Sequence, residues 1–321
     1  MMLVVNLATV FGGQERYADD LLTTLASLGH DVYFIGGPEK LTRYSEPQVD
    51  ADVRVLNGNS ALYKYALKPF NGELTVYVQH SNINDGQQAC WRRWVRKCLL
   101  KLLLYKVDLV VRVCDNALPE YYAPGKVVTI YNGVSLPDLP TICSITPSVR
   151  LLMVGAVNAN KNQRLAIDVL TLLPQAHLTL LGDGPEMASL QTYAKTLGVE
   201  SRIEWVGFVE DPSPYYQQAD LLLMLSHFEA FPYSVLESMA YATPVIAVGV
   251  GGVPEIIQNN KNGWLLPDYC VETLSEQIIR IVNKPNEYAQ VASAARATIA
   301  QGFTKEKMVN SLLTEIKNRK K

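Results

Sequence analysis

Two glutamates, Glu229 and Glu237, lie with seven residues between them in the stretch S-H-F-E-A-F-P-Y-S-V-L-E-S-M-A-Y-A-T-P-V-I-A-V-G-V-G-G-V-P-E-I, positions 226–256. A carboxylate accepts hydrogen bonds from hydroxyls, and the start of a helix offers unpaired N–H donors to an anionic group. The pattern around these acids allows both. Residues 221–225 form an apolar run that reads as a buried strand, and Glu229 falls in the loop after it. Pro232 suits a first helical turn, residues 234–241 continue that helix, and Pro244 stops it. Residues 245–248 read as the next parallel strand, and Gly251 and Gly252 break into a turn before another short helix. A loop acid, a helix start and a glycine loop at one sheet edge make a mouth for a polar ligand. The alternative is an ordinary strand–helix unit with acidic surface residues; the ligand mouth is the better reading.

The elements that must position these groups recur along the whole chain. Residues 3–8 read as a strand, followed by Phe11-Gly12-Gly13-Gln14-Glu15, a helical period through Leu28, Gly29 as its stop, and a second strand over 31–35. Gly12 and Gly13 would let backbone approach a ligand. A plain strand-to-helix turn explains them equally well, because no full G-x-G-x-x-G is present and no acid follows residue 35 to hold a nicotinamide ribose. Residues 52–56, 74–79, 109–113 and 127–130 are further strands, while 39–48 show no period and read as loop. Tyr131-Asn132-Gly133-Val134 is a turn, and residues 136–148, with three prolines and no regular pattern, mark a linker. A second series then begins with a strand over 150–154, a loop through Lys161 and a helix to Leu173. It continues with a strand over 177–181, the turn Gly182-Asp183-Gly184-Pro185-Glu186, a helix to Leu197 and a strand near 203–206. Helices near 271–281, 285–297 and 304–317 close the chain. The expected fold class is α/β: two facing Rossmann-like open-sheet domains with a central cleft. Their expected bounds are 1–140, a linker over 141–149, and 150–300, with a terminal helix over 301–321 near the interdomain region.

Composition narrows the classes of function. A chain of 321 residues has room for two medium cores, and a formal charge of −2 argues against general nucleic-acid binding. Five scattered cysteines without a C-x-x-C fit reduced structural thiols, neither a disulfide scaffold nor a zinc site. The apolar start lacks a basic leader and runs into a glycine loop, so it reads as a first strand; no run reaches transmembrane length.

At this point the motifs carry a family. The chain resembles the retaining glycosyltransferases of family 4, a two-domain GT-B group that includes glycogen synthase-like and polysaccharide-biosynthesis enzymes. The likeness spans nearly the full length and is most specific over 154–263, in E-A-F-P-Y-S-V-L-E-S-M-A, T-P-V-I-A and G-G-V-P-E-I. The resemblance implies that Glu229 contacts donor-sugar hydroxyls and that Glu237 binds the ribose. It places backbone amides of Phe231, Pro232, Tyr233, Ser234 and Val235 near the diphosphate. Gly155, Asp183 and the Gly12–Gly13 loop match donor-side landmarks, and His80 matches a histidine near the reacting sugar. One departure is Ala156, where the family commonly has arginine before a lysine, here Lys161. Lys161 would then act with a relocated arginine, Arg164 or Arg202, or the chain would bind donor with little turnover.

The chemistry so implied is same-face substitution, with the departing phosphate taking the acceptor proton and the protein supplying position and charge. His80, Lys161 and Glu229 are the expected catalytic contacts; Asp183 is explained nearly as well as a turn former. No D-x-D pair or histidine–carboxylate cluster is evident, so no metal or other cofactor is expected. The expected partners are a nucleoside-diphosphate sugar, UDP-linked by preference, and a glycan or lipid-linked acceptor of surface polysaccharide or lipopolysaccharide; nucleic acid is not expected. Trp91-Arg92-Arg93-Trp94-Val95-Arg96-Lys97 opens a run to Lys106 with six positive charges and no acid. That helix suits an anionic bilayer or acceptor, and equally a helix whose leucines pack on the sheet while its basic face meets water. The corresponding location is cytoplasmic, peripheral on the cytoplasmic face of the inner membrane. A nucleotide-sugar epimerase or a binding module without turnover are the alternatives.

Overall fold

The computed structural model describes residues 1–7, 12–35, 51–81, 90–138 and 145–320; the expected loop over 39–48, Phe11 and residues 141–144 of the expected linker lie outside them. The chain folds as two units, Met1–Gly133 with Phe303–Lys321, and Val134–Gly302. The division thus falls at Gly133, ahead of the expected linker over 141–149, and the first unit is built from both ends of the chain.

In the first unit, β1 (Met2–Asn6), α1 (Gly13–Ser27), β2 (Val32–Ile35), β3 (Val53–Asn57), α2 (Asn59–Tyr65), β4 (Leu74–Gln79), α3 (Cys90–Leu104), β5 (Leu109–Arg112) and β6 (Val127–Thr129) alternate strand and helix. The six strands are parallel in the order β2-β1-β3-β4-β5-β6. Their near-continuous Val and Leu runs are what a sheet covered on both faces requires. Val5, Leu56, Tyr77 and Val110 are fully buried, and Leu62, Leu103 and Leu104 of the helices pack on them. α1 stops as its sequence anticipates: Gly29 takes φ +80, and the N–H groups of Gly29 and His30 return to the carbonyls of Ala26 and Leu25, 3.0 Å each.

The second unit comprises β7 (Arg150–Val154), α4 (Gln163–Leu172), β8 (His177–Leu181), α5 (Met187–Thr196), β9 (Ile203–Gly207), α6 (Ser213–Gln218), β10 (Leu221–Met224), α7 (Tyr233–Ala240), β11 (Val245–Val248), α8 (Val253–Ile256), β12 (Trp264–Leu266), α9 (Val271–Val282) and α10 (Pro285–Gly302). Its sheet is also parallel, in the order β12-β11-β10-β7-β8-β9. This is the strand order of the dinucleotide-binding fold, whereas the first sheet follows the flavodoxin-like order. β12 has no counterpart in the expectations, because three residues are too few to show a period.

The last helix, α11 (Lys305–Arg319), packs on α1 of the first unit. Lys305 Nζ lies 2.5 Å from the buried Asp20 carboxylate, and Arg319 donates to the Gly125 carbonyl at 2.7 Å. Gly133 accommodates this return, since a Cβ there would collide with the Thr304 carbonyl.

Candidate functional site

Strand order reverses between β7 and β10 in the second sheet, and ligands bind outside the carboxyl ends of strands at such a reversal. The loops leaving those two strands are joined there. Lys161 Nζ, on the loop after β7, lies 2.6 Å from Glu229 Oε1, on the loop after β10. Both side chains retain some solvent contact. Gly155 has φ +141, and a Cβ on it would come within 2.9 Å of Lys161 Cε, so glycine there leaves the lysine its path. Asn160 fastens the same loops: its carbonyl accepts from His227 N at 2.8 Å, its Oδ1 from Phe228 N at 2.9 Å, and its Nδ2 donates to the Phe228 carbonyl at 3.0 Å. A third loop closes on them. Gly251, at φ +56, backs onto the Glu229 carbonyl, and Gly252 N donates to the Ala230 carbonyl at 2.7 Å.

Glu237 stands on α7, where its Oε2 accepts from the Tyr216 hydroxyl at 2.9 Å. Phe231, Pro232, Tyr233 and Val235 at the start of that helix are buried and Ser234 is partly so, which leaves the backbone as their means of meeting an anion. Asp183 is exposed and braces its own turn, with Oδ1 accepting from Gly184 N at 2.7 Å. Gly182, at φ +125, and Gly184 press against the carbonyls of Gly155 and Val157, so this motif packs the loop after β7.

The arginines expected to compensate for Ala156 are engaged elsewhere. Arg202 donates to the carbonyls of Leu170 and Leu173 at 2.7 Å and of Ala176 at 3.2 Å, so it caps the end of α4. This corrects the suggestion that it joins Lys161: three carbonyls at a helix C-terminus hold a guanidinium better than an open loop does. Arg164, also expected beside Lys161, is exposed and stacks on Tyr193 at 4.1 Å from the ring centroid.

In the first sheet the order reverses between β1 and β3, and a buried polar cluster occupies that edge. Gln14 Nε2 donates to Asn6 Oδ1 at 2.8 Å and to the Asn57 carbonyl at 2.9 Å, while Asn57 Nδ2 donates to the Gln14 carbonyl at 2.9 Å. Asn57 Oδ1 is therefore an acceptor, and His80 Nε2, 2.6 Å away, carries the proton. The ring's acceptor nitrogen is then Nδ1. Tyr17 meets the ring edge-on at 4.8 Å, and desolvation pulls the His80 pKa down to about 3, so the imidazole is neutral. Burial also raises the carboxyl of Glu15 above its ordinary value. Gly12, extended at φ −165, and Gly13, the first residue of α1, are both exposed. Asn6, Gln14, Asn57 and Asn160 were not anticipated. Only Asn160 had a signal, the run of asparagines at positions 158, 160 and 162, which local sequence explains as ordinary loop composition.

On α3, Leu100, Leu103 and Leu104 are buried, as the packing reading expects, while Trp91 and Trp94 are exposed. Arg96 and Lys97 are partly exposed, and the side chains of Arg92 and Arg93 lie outside the described residues. Among the described residues, no group of three His, Cys, Asp or Glu could hold a metal ion, and no helix is long and apolar enough to cross a membrane.

Two parallel, doubly wound sheets of this connectivity are the fold of the GT-B glycosyltransferases. Residues 146–298, most of the second unit, match the family model described as Glycosyl transferases group 1. The chain is 32% identical over 233 residues to N-acetyl-alpha-D-glucosaminyl L-malate synthase of Bacillus anthracis, covering 67% of this chain and 61% of that enzyme. It is 27% identical over 203 residues to the lipopolysaccharide core biosynthesis glycosyltransferase LpsE of Rhizobium meliloti, covering 63% and 56%. The chain thus spans somewhat over half the length of these relatives. In structure it is similar to HepE of Anabaena in complex with UDP-glucose, with a TM-score of 0.76, 19% identity and 99% of each chain covered.

Proposed function

We propose that the protein transfers a hexose-type sugar from a nucleoside-diphosphate sugar, UDP-linked by preference, to a glycan or lipid-linked saccharide, with retention at the anomeric carbon. The observation that carries this reading is the Lys161–Glu229 pair, 2.6 Å apart where strand order reverses in the second sheet. A cation and a carboxylate sharing one loop mouth match a substrate with a diphosphate beside a polyol. On donor arrival the Lys161 amine turns to the leaving phosphate oxygens, and Glu229 is released to accept hydrogen bonds from sugar hydroxyls. N–H groups at the start of α7 add neutral donors to the diphosphate, and Glu237 accepts from the ribose. In the first unit, His80 offers a neutral ring nitrogen to a sugar hydroxyl. The bond from the anomeric carbon to the diphosphate breaks, the acceptor oxygen bonds that carbon on the same face, and its proton passes to the departing phosphate. With Lys161 and backbone donors facing the phosphates, no metal has a part in this scheme.

The named activities of the relatives support sugar transfer, and the lipopolysaccharide relative supports a surface-glycan acceptor. The UDP-glucose complex of HepE supports the donor. The test is incubation with a panel of labelled nucleotide sugars and membrane extract, with and without a chelator. Label moved to lipid or glycan with release of nucleotide, at a rate the chelator leaves unchanged, is the expected result. Label kept on nucleotide as a changed sugar would mean an epimerase. Binding of every donor without release would mean a binding module, the second reading, which the uncharged Ala156 favours.

A further inference from the structure

α3 is apolar on two opposite faces. At about 100° per residue, Leu100, Leu103 and Leu104 share one side, and all three are buried in the first core. On the other side Trp94, Val95, Leu99 and Leu102 are 67%, 47%, 43% and 68% exposed, and Tyr105, in the turn just past the helix, is 80% exposed. A surface helix ordinarily turns polar residues outward, and a contiguous exposed apolar patch marks an interaction surface. Within this segment the charges are of one sign. Lys101 and Lys106 are exposed, Lys97 is partly so, and no acid occurs from Cys90 to Val107. At the C-terminal end, Lys126 Nζ donates to the Val107 carbonyl at 2.7 Å and lies 5.7 Å from the Tyr105 ring centroid.

We propose that this outer face docks the protein on an anionic lipid surface, with the helix lying in the plane of the interface. Trp94, Leu102 and Tyr105 enter the boundary between headgroups and acyl chains, and Lys97, Lys101 and Lys106 reach the lipid phosphates. Two features select lipid over a protein groove. Aromatic side chains with amphipathic rings stand at both ends of the stripe, where tryptophan and tyrosine suit the headgroup level. The unbroken positive charge also complements a sheet of phosphates, to which each lysine adds about fivefold in partitioning. The buried leucines keep the helix anchored in its own domain, so the outer residues are preformed for insertion and no refolding is needed. The inference goes beyond the sugar-transfer reading and does not depend on it, since vesicle binding is measured without any nucleotide sugar.

Wild-type protein is mixed with phosphatidylcholine vesicles with and without phosphatidylglycerol, and binding is followed by co-sedimentation and by quenching of tryptophan with brominated acyl chains. Binding to the anionic vesicles alone, weakened by salt and accompanied by quenching, is expected. The double variant L102D/Y105S alters only exposed side chains; it should keep its circular dichroism and melting temperature and lose about tenfold or more in binding. The triple variant K97Q/K101Q/K106Q should lose on the order of a hundredfold. Transfer to a soluble acceptor should be unchanged in L102D/Y105S, which separates failure of docking from failure of the enzyme reading. No binding by wild type, equal binding to neutral vesicles, or equal binding by L102D/Y105S would each overturn the proposal. So would a wild-type dimer in sedimentation velocity that L102D/Y105S dissociates, since a second copy would then be the occupant.

Discussion

Lys161 and Glu229 are 68 residues apart in sequence and 2.6 Å apart in the fold, so in the ligand-free protein the candidate phosphate-binding amine is neutralised by the candidate sugar-binding carboxylate. On the proposed reading, a bound diphosphate competes with Glu229 for the Lys161 amine. Glu229→Gln should therefore bind sugar-free nucleoside diphosphate at least as tightly as wild type while transfer falls, because the competing charge is gone. Lys161→Ala should weaken both binding and transfer. Calorimetry and turnover on the two variants check this; weaker diphosphate binding by Glu229→Gln would refute the exchange of partners.

Glu237 should govern binding of the nucleoside. Its carboxylate is oriented by the Tyr216 hydroxyl at 2.9 Å. Glu237→Ala should weaken nucleoside diphosphate binding by about 1–3 kcal/mol, and Tyr216→Phe by about 0.5–1.5 kcal/mol, since the carboxylate then keeps its charge but loses its brace. Tight binding by Glu237→Ala would remove the ribose assignment.

Asn160 should matter although it need not touch a ligand. Asn160→Ala removes both side-chain bonds to Phe228 and keeps the backbone bond to His227. We expect a loss of about 1–3 kcal/mol in stability and lower transfer with a raised KM, as the loops bearing Lys161 and Glu229 drift apart. Urea denaturation and steady-state kinetics measure the two effects separately.

His80 should make stability depend on pH. Its ordinary value of 6.5 falls to about 3 on folding because burial disfavours the charged ring. The group's folded pKa is depressed, so above about pH 6.5 both states are neutral and nothing is lost. As pH falls from there towards 3, the unfolded chain takes up the proton first, and stability should drop by at most about 1.4 kcal/mol per pH unit. His80→Asn should flatten this slope in urea midpoints taken across that range. An unchanged slope would mean that other groups carry it.

Some of this protein was written locally. Runs such as Val-Val-Asn and Leu-Leu-Leu-Met, alternating with helical periods, announce a parallel α/β protein, because the spacing of apolar side chains is set by the geometry of the element that buries them. Glu229 was visible as a polar group after a strand and Glu237 as one along the helix that follows, while the family resemblance singled out Lys161 and His80. What local spacing does not encode is which strands become neighbours. β7 and β10 adjoin although three strand–helix units' worth of chain separates their loops, and that adjacency alone brings Lys161 to Glu229 and Asn160 to Phe228. The pairing of β3 with β1 and β4 likewise brings Asn57 to Asn6, Gln14 and His80, and so decides which His80 nitrogen carries the proton. The return of the chain's end to the first unit brings Lys305 to Asp20, buried on α1, and buries Met308, Val309, Leu312 and Ile316. On α3 the sequence is apolar on both sides, and only packing chose Leu103 for the core and left Leu102 in water. Local periodicity follows from the geometry of one element, whereas partners distant in sequence meet only when the whole set of elements covers its apolar faces together.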